Sequence, residues 1–301
     1  MISLFSAIFC SSMIAVIFKF SEKKQSNRVA ITTFNYIVAC IISFLLLPQK
    51  NIFATRLFYS FGNEAKEVFA NGSMFSNEAS GAWAIIIGSI TGVIYFSSFW
   101  LYQYSVNKNG AALSATFMKL GVLVPTILSI FFFKEIPTVL QAIGIAMAVV
   151  GILIINLSQE KNIMQNIKLD LLFLFILGGL GDFNSKMYQS FGQIEYKELY
   201  IFCLFTTALI ISTIILLAKN KKITKNDIIV GLLVGIPNQL TAYFLVKSLN
   251  SLKASIAFPI FSTGTILLVN IINIMLFKER LSKRQNLAIG VIMVSLIFLN
   301  I

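Results

Sequence analysis

The feature that most constrains this chain is its series of long apolar segments, which short polar connections separate. A helix needs about 20 mostly apolar residues to cross the hydrocarbon of a bilayer. The chain is 57% hydrophobic and only 12% charged, whereas about a quarter of the residues in a soluble domain are charged. The sequence therefore predicts an all-α polytopic membrane protein with ten transmembrane helices. The predicted spans are 2–19, 29–47, 81–105, 110–133, 138–157, 169–190, 198–218, 228–247, 254–277 and 286–301.

The charged and reactive residues exclude several classes of protein. The net charge of +12 does not indicate nucleic-acid binding, because the lysines and arginines are scattered through connections that flank spans. Histidine is absent, and Cys10, Cys40 and Cys203 lie inside apolar segments without CxxC spacing. The sequence has no metal-ligand spacing, no GxSxG motif and no P-loop. We therefore expect no enzymatic activity, no cofactor and no metal.

The second half of the chain repeats the first. A shift of 144 residues places 101–157 over 245–301, and Phe133-Lys134-Glu135 then coincides with Phe277-Lys278-Glu279. Each half holds five predicted helices, so the second copy must enter the membrane upside down. Inverted repeats are typical of secondary transporters, which bind substrate near the midplane between the repeats. We predict two such five-helix domains around a central cavity, 1–157 with its polar loop 48–80, and 158–301.

The loop 48–80 is the longest connection, and it contains no span of its own. It is polar and carries charges of both signs, so we expect it to lie outside the hydrocarbon. Within it we expect a short surface helix near Phe53–Phe69. The other connections are mostly short, which favours antiparallel neighbouring helices.

The stretch Phe133–Gly151, FKEIPTVLQAIGIAMAVVG, resembles the end of an EamA domain, where a span closes on an acidic turn before a glycine-containing last helix. The second copy looks the same, although the family more often has glycine where Lys134 and Lys278 stand. With the five-plus-five helix count, the chain resembles the ten-helix EamA branch of the drug/metabolite transporter superfamily. The resemblance implies a multi-pass plasma-membrane transporter with a central cavity. It also implies a structural role, capping or pairing at a helix end, for Glu135 and Glu279.

Two arguments about the orientation of the chain disagree. The odd-numbered connections carry more lysine and arginine than the even-numbered ones. The positive-inside rule would then place both termini outside the cell. The EamA resemblance implies cytoplasmic termini instead, and both orientations stay open.

Charged residues inside the predicted spans are the main candidates for a binding site. Lys119 lies at least nine residues from either end of its span, a depth of about 13–15 Å from the nearer end, where a lysine costs about 2.5–3.5 kcal/mol. We predict Asp182 as its partner, and Lys186 stands one turn after Asp182. Three interpretations stay open. Asp182 could pair with Lys186 in a purely structural role, the charges could line a cavity that binds a polar or zwitterionic solute, or Asp182 could couple transport to protons.

Further candidate substrate-binding residues are polar or aromatic groups at similar depth. Pro237 should kink its helix and leave Asn238 and Gln239 available to a cavity, with Tyr243 one turn further on. Trp100 and Asn35 complete the set. The pairs Gly88/Gly92 and Gly231/Gly235 are small-xxx-small patterns, which we expect to be helix-packing surfaces without chemistry.

Three classes of function follow from these features. The first is a secondary transporter that moves a metabolite, amino acid or amine across the plasma membrane by alternating access. The second is a flippase for a lipid or lipid-linked sugar, and the third, an intramembrane enzyme, lacks a catalytic constellation. We favour the transporter. Its expected partners are a small-molecule solute, membrane lipids and protons as a coupling ion, with no nucleic acid.

Overall fold

The protein is all-α in the residues that the computed structural model describes, which are 1–21, 27–47, 57–109, 111–157, 169–219, 222–277 and 282–301. Twelve α-helices and a short 3-10 turn at Ile194–Tyr196 make up this part of the chain. The helices are α1 (Ile2–Ser21), α2 (Arg28–Leu45), α3 (Leu57–Asn71), α4 (Asn77–Asn109), α5 (Ala111–Leu120), α6 (Leu123–Phe133), α7 (Val139–Leu157), α8 (Leu169–Phe191), α9 (Lys197–Ala218), α10 (Lys225–Ser248), α11 (Ala254–Phe277) and α12 (Lys283–Asn300).

The predicted class, an all-α membrane protein, is confirmed. Six of the described helices, α1, α2, α4, α9, α10 and α11, are long and apolar enough to cross a membrane. Two shorter apolar stretches, Phe117–Phe133 and Val139–Ile154, accompany them. Every predicted span contains a helix, while the number of ten crossings stays a prediction.

One predicted span is not a single helix. The segment 110–133 is divided at Gly121 and Val122 into α5 and α6. Pro125 explains the break, because proline lacks an N–H and its ring collides with the carbonyl four residues earlier, here that of Gly121. That carbonyl accepts a hydrogen bond from the backbone N–H of Val124 instead, at 2.9 Å.

Helix α3 lies in the polar loop, as the sequence predicted, although it begins at Leu57, and 48–56 lies outside the described residues. Its apolar face packs on α4 and on the turn that precedes α4. The ring centroids of Phe61 and Phe75 are 5.0 Å apart, and those of Phe69 and Trp83 are 5.6 Å apart. Polar contacts add to this packing, because the backbone N–H and the hydroxyl of Ser76 donate to the Glu64 carboxylate at 2.9 and 2.6 Å.

The chain forms two compact units, and each takes helices from both sequence halves. The first unit comprises 1–12, 97–183 and 251–301, and the second comprises 13–96 and 184–250. These units are divisions in space, whereas the predicted domains are divisions of the sequence. The predicted domain boundary at 157 stays a prediction.

In the first unit, α7 packs along α12, its counterpart under the shift of 144 residues. Gly144 lies against Leu299, and Gly151 lies against Ile292. The residue numbers rise along one helix as they fall along the other, so the two helices are antiparallel. An inverted duplication requires that relation between counterpart helices.

In the second unit, two pairs of helices pack closely through glycines, and we call each of these contacts a glycine seam. In the α4–α9 seam, Gly88 and Gly92 of α4 lie on the backbone of α9. A Cβ atom added to Gly88 would lie 2.6 Å from the carbonyl oxygen of Tyr200, and one added to Gly92 would collide with the carbonyl of Leu204. Only glycine permits this approach.

The α2–α10 seam repeats the arrangement with the sequence halves exchanged. A Cβ atom on Gly231 would lie 2.6 Å from the carbonyl oxygen of Ile31, and one on Gly235 would lie 2.7 Å from that of Asn35. The glycines of the two seams are 143 residues apart in the sequence. The packing role predicted for both glycine pairs matches this geometry, and the spacing agrees with the sequence repeat to within one residue.

Candidate functional site

In the first unit, Lys119 and Asp182 lie near each other. Lys119 is the second-last residue of α5 and has an exposed side chain, and Asp182 is half-buried in α8. Their charges interact electrostatically. Both residues lie in the described part of the chain, where they form no direct ion pair. Two opposite charges near each other but out of contact can bind one polar molecule between them.

Two glycines of α8 allow this proximity. Gly179 lies directly against the carbonyl group of Gly121, and a Cβ atom on Gly178 would lie 3.1 Å from the carbonyl oxygen of Met118. Asp182 follows Gly178 by four residues and so stands on the same face of α8. The break between α5 and α6 therefore brings Lys119, which follows Met118, towards Asp182.

A side chain of α4 forms a hydrogen bond to the same region of α8. The hydroxyl of Ser98 donates to the carbonyl oxygen of Leu177 at 2.8 Å, immediately before the glycines. Trp100, predicted as a substrate contact, follows two residues later on α4 and is exposed. The first unit thus contains three of the predicted site residues, Lys119, Asp182 and Trp100.

The other predicted site residues belong to the second unit. The side-chain amide of Asn238 donates to the amide oxygen of Asn35 at 3.1 Å, across the α2–α10 seam. Gln239 is 1% exposed, and its Oε1 atom accepts no hydrogen bond from the described residues. A buried acceptor without a donor is costly. A hydrogen-bond donor on a solute would therefore bind favourably to Oε1 of Gln239.

Lys186 is also buried in the second unit, and its ammonium group donates to Oε1 of Gln189 at 2.8 Å. The electrostatic partner of Asp182 is Lys119. The structural interpretation, in which Asp182 pairs with Lys186 one turn further along the helix, stays a prediction beside the two binding interpretations.

The sequence did not single out Lys197. It is the first residue of α9, and only 6% of it is exposed. Its ammonium nitrogen lies 3.1 Å from Oε1 of Glu198 and 4.2 Å from the ring centroid of Tyr243. A Lys-Glu pair at the start of a span usually marks the interface with water, so the pattern predicted an ordinary flanking charge.

The acidic turn has the structural role that the EamA resemblance implied. A carboxylate oxygen of Glu135 accepts a hydrogen bond from the backbone N–H of Ser255 at 3.2 Å, and so caps the first turn of α11. Lys134 has a left-handed backbone with φ of 53°, the conformation that glycine adopts most easily. Lys278 and Glu279 lie outside the described residues.

A metal site is not evident in the part of the chain that the structure describes. Those residues include no group of three or more histidine, cysteine, aspartate or glutamate side chains that could hold an ion.

Comparison with known proteins decides the family. A model of the EamA-like transporter family matches residues 1–157, more than half of the chain. The chain belongs to the EamA-like transporter family. The resemblance inferred from the FKE turn is thereby confirmed. A model of the Small Multidrug Resistance protein matches residues 198–292 of this EamA-like transporter.

Two further similarities extend over nearly the whole EamA-like transporter. It is 26% identical over 292 residues to a protein of Haemophilus influenzae named "Uncharacterized protein", across 95% of this chain and 93% of that one. A solved structure described as "Crystal structure of protein" superposes with a TM-score of 0.67 at 12% identity, covering 99% of this chain and 94% of that one. The second similarity concerns the fold alone. Family membership makes this chain a multi-span membrane transporter of small solutes.

Proposed function

We propose that this EamA-like transporter moves a small polar or zwitterionic organic solute, such as a metabolite, amino acid or amine, across the plasma membrane. Transport is secondary and proceeds by alternating access between two inverted five-helix repeats. The observation that carries the proposal is the close packing of α8 on the break between α5 and α6, which places the charges of Lys119 and Asp182 near each other.

The cost of the two charges supports a binding role. A lysine near the middle of a membrane-spanning segment costs about 2.5–3.5 kcal/mol, and a direct ion pair would offset part of that cost. Lys119 and Asp182 interact without direct contact, so each keeps hydrogen-bonding capacity. A zwitterionic solute would use both, with its carboxylate on Lys119 and its ammonium group on Asp182.

The same carboxylate is our candidate for coupling transport to protons. Asp182 is half-buried in α8, and its electrostatic partner is Lys119. Protonation of Asp182 would leave the Lys119 charge without its counterion and would change the affinity for a charged solute. A proton gradient could drive transport through that change.

A ligand screen tests the binding role. Purified protein is heated with members of a metabolite library, because a ligand at 100 times its Kd adds about 2.7 kcal/mol of stability. We expect one class of solute to stabilise the wild type, to stabilise Asp182→Asn measurably but less, and not to stabilise Lys119→Met. Lys108→Met is the matched control, since Lys108 is exposed and its ammonium group lies 3.4 Å from Oδ1 of Asp170. Equal stabilisation of all four proteins would exclude the Lys119–Asp182 pair as the binding site.

A flippase for a lipid or lipid-linked sugar is the second candidate. The exposed side chain of Lys119 favours it, because a flippase needs polar groups that a lipid headgroup can reach. Proteoliposomes distinguish the two. Movement of a fluorescent lipid between leaflets without uptake of any library solute would replace the transporter assignment with the flippase.

A further inference from the structure

Lys197 is buried in the second unit in an arrangement that differs from an ordinary surface ion pair. Lysine and glutamate are seldom buried unless they are paired, and the side chains of Lys197 and Glu198 are only 8% and 17% exposed. The ammonium nitrogen touches Oε1 of Glu198 at 3.1 Å and lies over the ring face of Tyr243. Two helices, α9 and α10, contribute these groups.

Each group around the ammonium recognises a cation by a different mechanism. The face of an aromatic ring attracts a cation through the ring quadrupole, most strongly where water is excluded. A carboxylate adds a charge-assisted hydrogen bond. Tyr243 and Glu198 thus supply the two kinds of contact by which proteins bind alkylammonium ligands.

The surrounding packing supports the aromatic side of this arrangement. Tyr243 packs against the buried core cluster that contains Tyr188 and Tyr200, whose rings stack with centroids 4.5 Å apart. The Tyr188 hydroxyl donates to the carbonyl oxygen of Gln193 at 2.7 Å. The Tyr243 ring therefore lies beside buried aromatic residues that pack with one another.

We infer that Glu198 and Tyr243 form a binding site for a primary ammonium group, and that the side chain of Lys197 occupies it as a tethered ligand. In the wild type the tether excludes free amines, because an intramolecular ammonium has a high effective concentration at the site. Removing the tether opens the site to a small primary amine. This inference does not rest on the proposed transport mechanism.

The test uses the amine that the mutation removes. Lys197→Ala deletes the atoms from Cγ to Nζ, which correspond to n-propylammonium. We expect n-propylammonium chloride to bind the full-length variant about tenfold more tightly than the wild type, a ratio within reach of a desolvated cation–π contact. Isothermal titration in detergent and the shift in Tm measure the effect. Sodium chloride at matched ionic strength is the reference, and n-propanol is the neutral isostere.

Two double variants, and one variant whose side chain still occupies the site, complete the test. Lys197→Ala combined with Tyr243→Leu, or with Glu198→Gln, should lose the gain in affinity. Lys197→Met keeps an unbranched apolar stem in the space and should bind no amine. Stabilisation of Lys197→Ala by n-propanol as strongly as by n-propylammonium, or the absence of amine binding to folded Lys197→Ala, would overturn the inference.

The test also works if Lys197→Ala folds poorly on its own. Purification with n-propylammonium should then recover monodisperse helical protein, and purification with n-propanol should not. Recovery with both additives, or with neither, contradicts the site.

Discussion

The carbonyl group of Gly121, at the end of α5, lies directly against the α-carbon of Gly179 in α8. A methyl group at position 179 would collide with that carbonyl and with the side chain of Val124. Backbone atoms cannot move aside as a flexible side chain can. The contact therefore fixes the distance between the helices that carry Lys119 and Asp182.

Gly179→Ala should consequently destabilise the protein. Overpacking of this kind costs about 1–3 kcal/mol, which thermal unfolding in detergent would register as a lower Tm. Gly290→Ala is the matched control, because no atom lies within 4 Å of the position a Cβ would take at Gly290 in α12. A Tm for Gly179→Ala equal to that of Gly290→Ala would show that α8 does not depend on this contact.

Asp182→Asn should abolish the effect of a pH gradient on transport and leave solute binding measurable. The amide keeps the shape and hydrogen-bonding capacity of the carboxyl group but cannot exchange a proton. Uptake into proteoliposomes with and without an imposed gradient measures this, with Lys108→Met as the charge-change control. Uptake by Asp182→Asn that still follows the gradient rules out Asp182 as the coupling group.

Lys134→Gly should stabilise the protein by about 1 kcal/mol, because a non-glycine residue in the left-handed region costs about 1–2 kcal/mol and the added glycine entropy offsets part of the gain. The measurement is Tm in detergent. Lys134→Ala removes the same side chain but keeps the Cβ atom, so it should give no gain. Equal gains in both variants would assign the effect to the lysine side chain instead of the backbone.

Asp227→Ala should destabilise the start of α10 by about 2–4 kcal/mol, since it leaves the buried N–H of Asn27 without an acceptor and removes the acceptor of two Thr224 donors. Asp227 is fully buried. One carboxylate oxygen accepts from the backbone N–H of Asn27 at 3.1 Å, and the other accepts from the backbone N–H and hydroxyl of Thr224 at 2.9 and 2.8 Å.

Thr224 and Asp227 form a capping box, in which each residue bonds to the backbone of the other. A similar box at the start of α12 provides a control for Asp227→Ala. Ser282 and Gln285 form the same reciprocal bonds at the start of α12, where they are exposed. Ser282→Ala should cost only about 1 kcal/mol. If both substitutions lowered Tm equally, the bond from Asn27 to Asp227 would contribute nothing to stability.

Sequence reasoning predicted the helices well because the signal is simple. Hydrocarbon selects for apolar runs of a fixed length, and every predicted span contains a helix. The break inside 110–133 was missed, since apolar composition continues across it and a proline alone does not state whether a membrane helix bends or stops. Pro125 was the available signal.

The candidate site was less accessible to sequence reasoning. Depth within a span identified Lys119 and Asp182, because a charge far from the interface is costly wherever it faces. Lys197 gave no such signal, since its burial depends on Tyr243, a residue of another helix. Contacts between distant segments set its environment, and a single sequence does not contain them.

The two glycine seams of the second unit constrain how this transporter can move. In each seam, the glycine α-carbons lie against backbone carbonyl groups, which cannot change rotamer as a side chain can. A shift of a fraction of a turn would drive a backbone carbonyl into the opposite α-carbon. We therefore expect α4 to move with α9, and α2 with α10, as coupled pairs in any conformational change of the second unit.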